Sequence, residues 1–247
     1  MVRGDLVFIL MDRRMQLWLV GGFIVVIVVV VIIAAIASQG ATQSGTTFTA
    51  TTVPAIDSSD HVTGDTSSPV TVIEYGDFEC PACGAWEPFV EQLEQAYGNR
   101  VEFVFRNFPL TQIHPFAMIG AQAAEAANLQ GKYWQMHDLL YKDQGQWTAN
   151  TSLTPAQVVS QFFDGYAQSL GLNVTKFNQD INSSAVIARV QRDITSGNNA
   201  QIDHTPTFFV NLSQIPNPSN YQAFTQVLDE ALTAGSSSAA VSTSTAK

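Results

Sequence analysis

The sequence predicts an α/β domain interrupted by a helical insertion. A strand, a helix and a strand follow one another closely over 70–106. A long helical block, about residues 112–200, then carries no strand pattern, and β character returns at Thr207–Asn211 ahead of a last amphipathic helix. Links this short between strand, helix and strand imply parallel pairing through a right-handed crossover.

Val70–Tyr75 (VTVIEY) is an apolar run of strand length, typical of a buried strand. Pro81–Tyr97 is helical: Trp86, Phe89, Val90, Leu93 and Tyr97 recur at helical spacing, Gly98 follows as a stop, and Pro88 is expected to kink the helix. Val101–Arg106 (VEFVFR) alternates as a strand does. In the insertion, Pro115–Leu129 is Ala-rich, and Lys132–Lys142 sets Tyr133, Trp134, Met136 and Leu140 near one face. Thr154 caps a helix that opens on Pro155, carries a stripe from Val158 to Leu170 and ends at Gly171. Ser184–Thr195 is a further amphipathic segment, and the final helix spans about Ser219–Leu232.

The flanks read differently. Leu17–Ala37 is a 21-residue run without a charged or strongly polar side chain; at 1.5 Å per residue it reaches about 30 Å, the thickness of a bilayer's hydrocarbon core. Arg3, Arg13 and Arg14 precede it and the next basic residue is Arg100. The expectation is a cytoplasmic N-terminus (1–16), a transmembrane helix (17–37) and an extracytoplasmic remainder. Ala35-Ile36-Ala37 also resembles a signal-peptidase site, but the apolar run is longer than the ~7–15 residues of a signal peptide, which favours an uncleaved anchor. Residues 38–68, rich in Ser, Thr, Gly and Ala, read as a flexible linker within which Thr47–Val53 is a candidate edge strand. Residues 235–247 read as a disordered tail. Net charge is −10 and no basic stripe interleaved with aromatics occurs, which argues against nucleic acid as a partner.

The chemistry concentrates in Cys80-Pro81-Ala82-Cys83, which holds both cysteines of the chain where a strand gives way to a helix. Two thiols one helical turn apart suit redox exchange, and a helix N-terminus favours a thiolate through its free N–H groups and dipole. Zinc would need two further ligands, and the four histidines (His61, His114, His137, His204) are isolated in sequence. An inert staple across two residues would remove little chain entropy. No metal and no cofactor is called for.

Four segments in order make the chain resemble the DsbA-like thiol–disulfide oxidoreductases of the thioredoxin superfamily: Asp77-Phe78-Glu79-Cys80-Pro81-Ala82-Cys83, Phe105-Arg106-Asn107-Phe108-Pro109-Leu110, His114-Pro115-Phe116-Ala117 and Thr205-Pro206-Thr207-Phe208-Phe209-Val210-Asn211. The resemblance covers roughly residues 60–235. It implies a thioredoxin fold with an inserted helical subdomain over 69–234. Cys80 becomes the exposed nucleophile and Cys83 the shielded sulfur that resolves a mixed disulfide. Thr205-Pro206 matches the family's cis-proline loop, and Glu74 an acidic position that assists proton transfer at the buried cysteine. His204 stands where related sequences carry Gly; it is either an imidazole that favours the Cys80 thiolate or a solvated loop residue. Asp77 and Glu79 read as loop acids, and Tyr133, Trp134, Phe162 and Phe163 as core.

The leading expectation is a membrane-anchored enzyme that donates a Cys80–Cys83 disulfide to exported proteins with free thiols, and a membrane oxidoreductase that reoxidises it. The same fold running as reductase or isomerase, and a non-catalytic membrane-tethered binding module, remain as alternatives.

Overall fold

The computed structural model describes residues 53–244. The stretches 1–16 and 17–37, and most of the expected Thr47–Val53 strand, lie outside these residues. Among the described residues no helix is long and apolar enough to cross a membrane.

A five-stranded sheet forms the centre: β1 (His61–Gly64), β2 (Thr71–Gly76), β3 (Glu102–Asn107), β4 (Thr207–Val210) and β5 (Ser213–Gln214), in the order β1-β3-β2-β4-β5. β2 and β3 pair in parallel, with Glu74 opposite Phe105, as the short strand–helix–strand links require. β4 runs antiparallel to β2 and sets Phe208 beside Glu74. Helix α1 (Pro81–Tyr97) connects β2 to β3. The insertion comprises α2 (Ala117–Asn128), α3 (Tyr133–Lys142), the short α4 (Gln144–Trp147) and α5 (Pro155–Val158). From α5 the chain passes through a π-helical segment (Val159–Phe163) into α6 (Asp164–Ser169), then α7 (Val174–Asp180) and α8 (Ser184–Asn199). The last helix, α9, is Tyr221–Ser244.

Alternation divides the sheet into two buried faces. Val72, Phe103, Phe208 and Val210 pack with Leu93 and Tyr97 of α1 and Phe224 and Leu228 of α9. Ile73, Tyr75, Val104 and Phe209 pack on the other side with Phe108, Ala200, Ile202 and Val53. A third cluster joins the insertion to the dithiol region through Phe78, Cys83, Phe105, Phe116, Met136 and Trp147. Thr154 and Gln157 form a reciprocal capping box at the start of α5, with Pro155 in the first turn.

Two expectations for the flanks are corrected. The supposed linker is structured from Val53 onward. His61–Gly64 pairs antiparallel with β3, and Arg106 holds Asp60 through paired contacts of 2.9 Å each while also reaching the carbonyls of Pro54 and Ala55. A four-residue edge strand carries too little periodicity to be legible; its partner strand defines it. The supposed disordered tail begins inside α9, which continues to Ser244. No proline interrupts that stretch, so a helix nucleated upstream propagates through it.

Candidate active site

β2 ends at Gly76, and Asp77–Glu79 turn the chain into α1. Cys80 is the N-cap, with extended backbone (φ −69°, ψ 119°) and no side-chain cap on the helix. The first-turn N–H groups are therefore left to the sulfur, as the strand-to-helix position suggests. The Cys80 carbonyl accepts from Gly84 N–H at 3.1 Å and from the Gln144 amide at 2.9 Å. That amide also reaches the Phe78 carbonyl at 2.8 Å. A Cβ at Gly84 would lie 2.5 Å from the Gln144 side chain, so a glycine here lets α4 brace the turn. Nothing in the sequence marks Gln144, a single amide in a four-residue helix.

Both cysteines are free, and their environments differ. Cys80 keeps 7% of its surface and Cys83 1%. Access runs in the expected direction, but Cys80 is covered rather than exposed because the Thr205 loop lies over it: its Sγ is 3.4 Å from the Thr205 carbonyl oxygen. The Cys80 pKa is held down to about 5, first by hydrogen bonding from the Cys83 thiol. The Thr205 side chain and the backbone N–H groups of Cys83 and Ala82 add to this, against the opposing effect of burial. The Thr205 hydroxyl is buried without a conventional hydrogen-bond partner. Burial pushes the Cys83 thiol up, reinforced by its hydrogen bond to Cys80 and by the negative charges of Glu74 and Cys80. The Asp77 N–H points to the Cys83 sulfur at 3.5 Å. One sulfur is an anion at neutrality and its neighbour a thiol.

The Thr205–Pro206 peptide bond is cis, and the Pro206 carbonyl accepts from the Asn217 amide at 2.7 Å. Glu74 faces α1 from the middle of the sheet. Burial pushes its carboxyl up to about 8, with the charges of Glu94 and Cys80 adding to the effect. Strand alternation alone left the facing of Glu74 open; sharing a face with Val72 and Phe208, which pack on α1 and α9, settles it. His204 lies beside the loop at the surface. It is half exposed, its Nδ1 lies 2.7 Å from Asp203, and the contacts that lower Cys80 come from Cys83, Thr205 and the helix backbone instead.

Asp77 and Glu79 are not loop acids in water. Asp77 accepts from Glu79 N–H (2.8 Å) and Leu110 N–H (2.9 Å) and pairs with His114 Nδ1 (2.7 Å). Glu79 accepts from Phe116 N–H at 2.5 Å, and burial raises its pKa. These bonds tie the segments around Pro109 and Pro115 to the dithiol turn. Tyr133 and Phe163 are fully packed, and Trp134 and Phe162 partly so. Sequence reasoning also passed over Glu87 and Glu94. Cys83, Glu87, Val90 and Glu94 recur every three or four residues, so two acids lie on the inward face of α1. That spacing was the available signal.

Fold and site together define a thioredoxin-fold protein with an asymmetric dithiol at a helix N-terminus. A family profile described as Thioredoxin matches residues 57–230, and the chain belongs to that family. The structure is similar to a thioredoxin-like oxidoreductase from Silicibacter pomeroyi DSS-3, with TM-score 0.57 and 25% identity over 71% of this chain and 93% of that one. It is also similar in fold to BdbD from Bacillus subtilis (TM-score 0.63, 22% identity, 74% and 97% of the two chains) and to α-DsbA1 from Wolbachia pipientis (TM-score 0.62, 20% identity, 74% and 94%). Among curated relatives, a protein named Na(+)/H(+) antiporter NhaA 1 from Salinispora arenicola is 42% identical over 159 residues, which is 64% of this chain and 22% of that protein. The chain thus spans less than a quarter of the length of that relative.

Proposed function

We propose that the protein is an extracytoplasmic thiol–disulfide oxidoreductase that donates a Cys80–Cys83 disulfide to exported proteins with free thiols. The observation that carries this reading is the unequal pair of sulfurs: Cys80 held as a thiolate at the helix N-cap, Cys83 buried as a thiol, with Thr205 and cis-Pro206 against them. A client thiolate attacks Cys80 Sγ, a client–Cys80 disulfide forms, and the Cys80–Cys83 bond breaks to release the Cys83 sulfur, which takes up a proton. A second client thiolate then attacks the client sulfur of the mixed disulfide. The client disulfide forms and Cys80 leaves as a stable thiolate, which makes the enzyme's own disulfide oxidising.

The apolar run 17–37 supports anchoring in the cell membrane with the N-terminus cytoplasmic, and turnover then calls for a membrane oxidoreductase that reoxidises the dithiol. Equilibration with glutathione tests direction: a potential above roughly −200 mV supports oxidation, and one near that of thioredoxin, about −270 mV, assigns the same site to reduction. Cys83→Ala tests chemistry. The variant should trap clients covalently through Cys80, and an absence of adducts would leave a binding module.

A further inference from the structure

A cavity of about 20 Å³ lies between β2, α1, α3 and α9, with apolar walls such as Val72, Leu93 and Phe103. Its lining turns ionisable at three places: Glu74 on β2, Glu94 on α1 and His137 on α3. A buried water needs about 10–15 Å³ and two to four polar partners, and this cavity offers both. On its other side His137 contacts two acids that line a second space. Its Nδ1 lies 3.1 Å from Asp138 Oδ1 and 3.7 Å from Glu87 Oε1. Those two acids line an outer cleft of about 330 Å³ with Glu91, Tyr141 and Lys142. The ring is wedged edge-on among Phe78, Phe105 and Tyr141 and faces Trp134 at a steep tilt, which leaves it little freedom to swing. Asp138 is largely exposed, whereas His137 is buried.

We propose that His137 relays protons between the buried Glu74 carboxyl and solvent, through a water in the inner cavity on one side and through Glu87 and Asp138 on the other. The proposal rests on the oxidoreductase reading above. When the Cys80–Cys83 bond breaks, the leaving Cys83 thiolate takes the Glu74 proton, and the Glu74 carboxylate regains one along the relay. Reoxidation runs the path backward: in a mixed disulfide between Cys80 and the reoxidising membrane oxidoreductase, Cys83 gives its proton to Glu74 and attacks Cys80 Sγ, the bond from Cys80 to the partner breaks, and the partner sulfur leaves as a thiolate. Protonation commits the exchange, because an ionised Cys83 re-closes its bond to Cys80. An imidazole suits the task because one nitrogen can accept while the other donates. The groups facing it are Glu74 and Glu94 on the inner side, and Glu87, Asp138, Glu91 and Lys142 on the outer side, with the Tyr141 hydroxyl and Cys83 nearby. Burial holds Glu74 at about 8 and Glu87 and Glu94 at about 7, so these carboxyls exchange protons near neutral pH.

The test follows oxidation of a reduced dithiol peptide by the oxidised full chain, by stopped flow from pH 5.5 to 9, in H2O and D2O. His137→Phe keeps a flat ring in the aromatic cluster but carries no proton. Its rate at pH 7 should fall about tenfold, with a larger solvent isotope effect and an altered pH profile. The reduction potential and the alkylation rate of reduced Cys80 should stay at their original values. Glu87→Gln combined with Asp138→Asn interrupts the outer end without touching the ring cluster and should give the same kinetic defect. Unchanged rate, isotope effect and pH profile in His137→Phe overturn the relay while leaving the oxidoreductase reading intact. If that variant does not fold, the same result in the Glu87/Asp138 pair overturns it. A wild-type chain that does not oxidise the peptide overturns both.

Discussion

Asp77 Oδ2 and His114 Nδ1 meet at 2.7 Å, with the carboxylate wholly out of water. The pair joins the dithiol turn to the segment that leads into α2, while the Asp77 backbone N–H contacts the Cys83 sulfur. Asp77→Ala strands two backbone donors and the imidazole at once. A buried donor left unpaired costs about 1–3 kcal/mol, so this variant should lose roughly 3 kcal/mol in urea unfolding. Asp77→Asn keeps one acceptor oxygen and should lose less than half as much. Equal losses would mean that the bonds to Asp77 are not what holds the turn.

Arg106 and Asp60 form a second buried joint, this one between β3 and the segment before β1. Arg106→Met leaves the buried Asp60 carboxylate with only the longer contact to Arg192 at 3.5 Å, and breaking a buried pair in this way costs up to about 3–5 kcal/mol. Limited proteolysis should then cut within 53–60, which the original protein protects. Lys176→Ala serves as the contrast. Its i,i+4 pairing with Asp180 on α7 lies at the surface, and such pairs contribute about 0–1 kcal/mol. Similar losses in the two variants would refute the distinction between buried and exposed pairing.

These joints show where the sequence was legible and where it was not. Val70–Tyr75, Pro81–Tyr97 and Val101–Arg106 carry their own period, cap or stop, and each lies within a residue or so of its observed bounds. The dithiol position was legible because motif and element order agree, whereas the cis Thr205–Pro206 bond was implied by the family resemblance alone. What escaped is decided by partners distant in sequence. β1 exists through β3. Asp77 is an internal acceptor because Leu110 and His114 come to it. His137 gains its place from rings contributed by β3, α3 and the dithiol turn. Gly197 is another such case: a Cβ there would lie 2.5 Å from the Phe108 ring, a close approach that no local pattern reveals.

The Cys80 thiolate makes stability depend on redox state and pH. Its folded pKa of about 5 lies below the ordinary thiol value of about 8.5. Below pH 5 the sulfur is protonated in folded and unfolded chains alike and contributes nothing. As pH rises from 5 toward 8.5 the folded form is ionised and the unfolded form is not, so the reduced protein gains stability on the oxidised one. Above about 8.5 the buried Cys83 works the other way, because its folded pKa is raised. Thermal unfolding of both redox forms between pH 4 and 8 should show the difference growing in favour of the reduced form. Thr205→Val, which removes the hydroxyl beside the sulfur, should move the midpoint of Cys80 alkylation upward. A pH-independent difference would mean that Cys80 is not ionised in the folded chain.

Glu74 carries the opposite sign. Its folded pKa of about 8 stands above the ordinary carboxyl value of about 4.5, with burial as the main cause. Below pH 4.5 the group is neutral in both states and costs nothing. Between 4.5 and 8 the unfolded chain releases the proton and the folded chain retains it, so stability falls as pH rises. At pH 7 the cost is on the order of 3 kcal/mol, from about 1.4 kcal/mol per unit of pH over the interval from 4.5. Glu74→Gln has nearly the same shape and no charge to lose. It should therefore be more stable than the original chain at pH 7 by a large part of that amount, and no more stable at pH 4. In the proposed mechanism it should also exchange disulfides more slowly at pH 7, because Cys83 loses its proton donor. Chemical denaturation at the two pH values checks the first statement and peptide oxidation the second. A variant that is stabilised yet retains full rate would place Glu74 outside the proton path while leaving its burial cost intact.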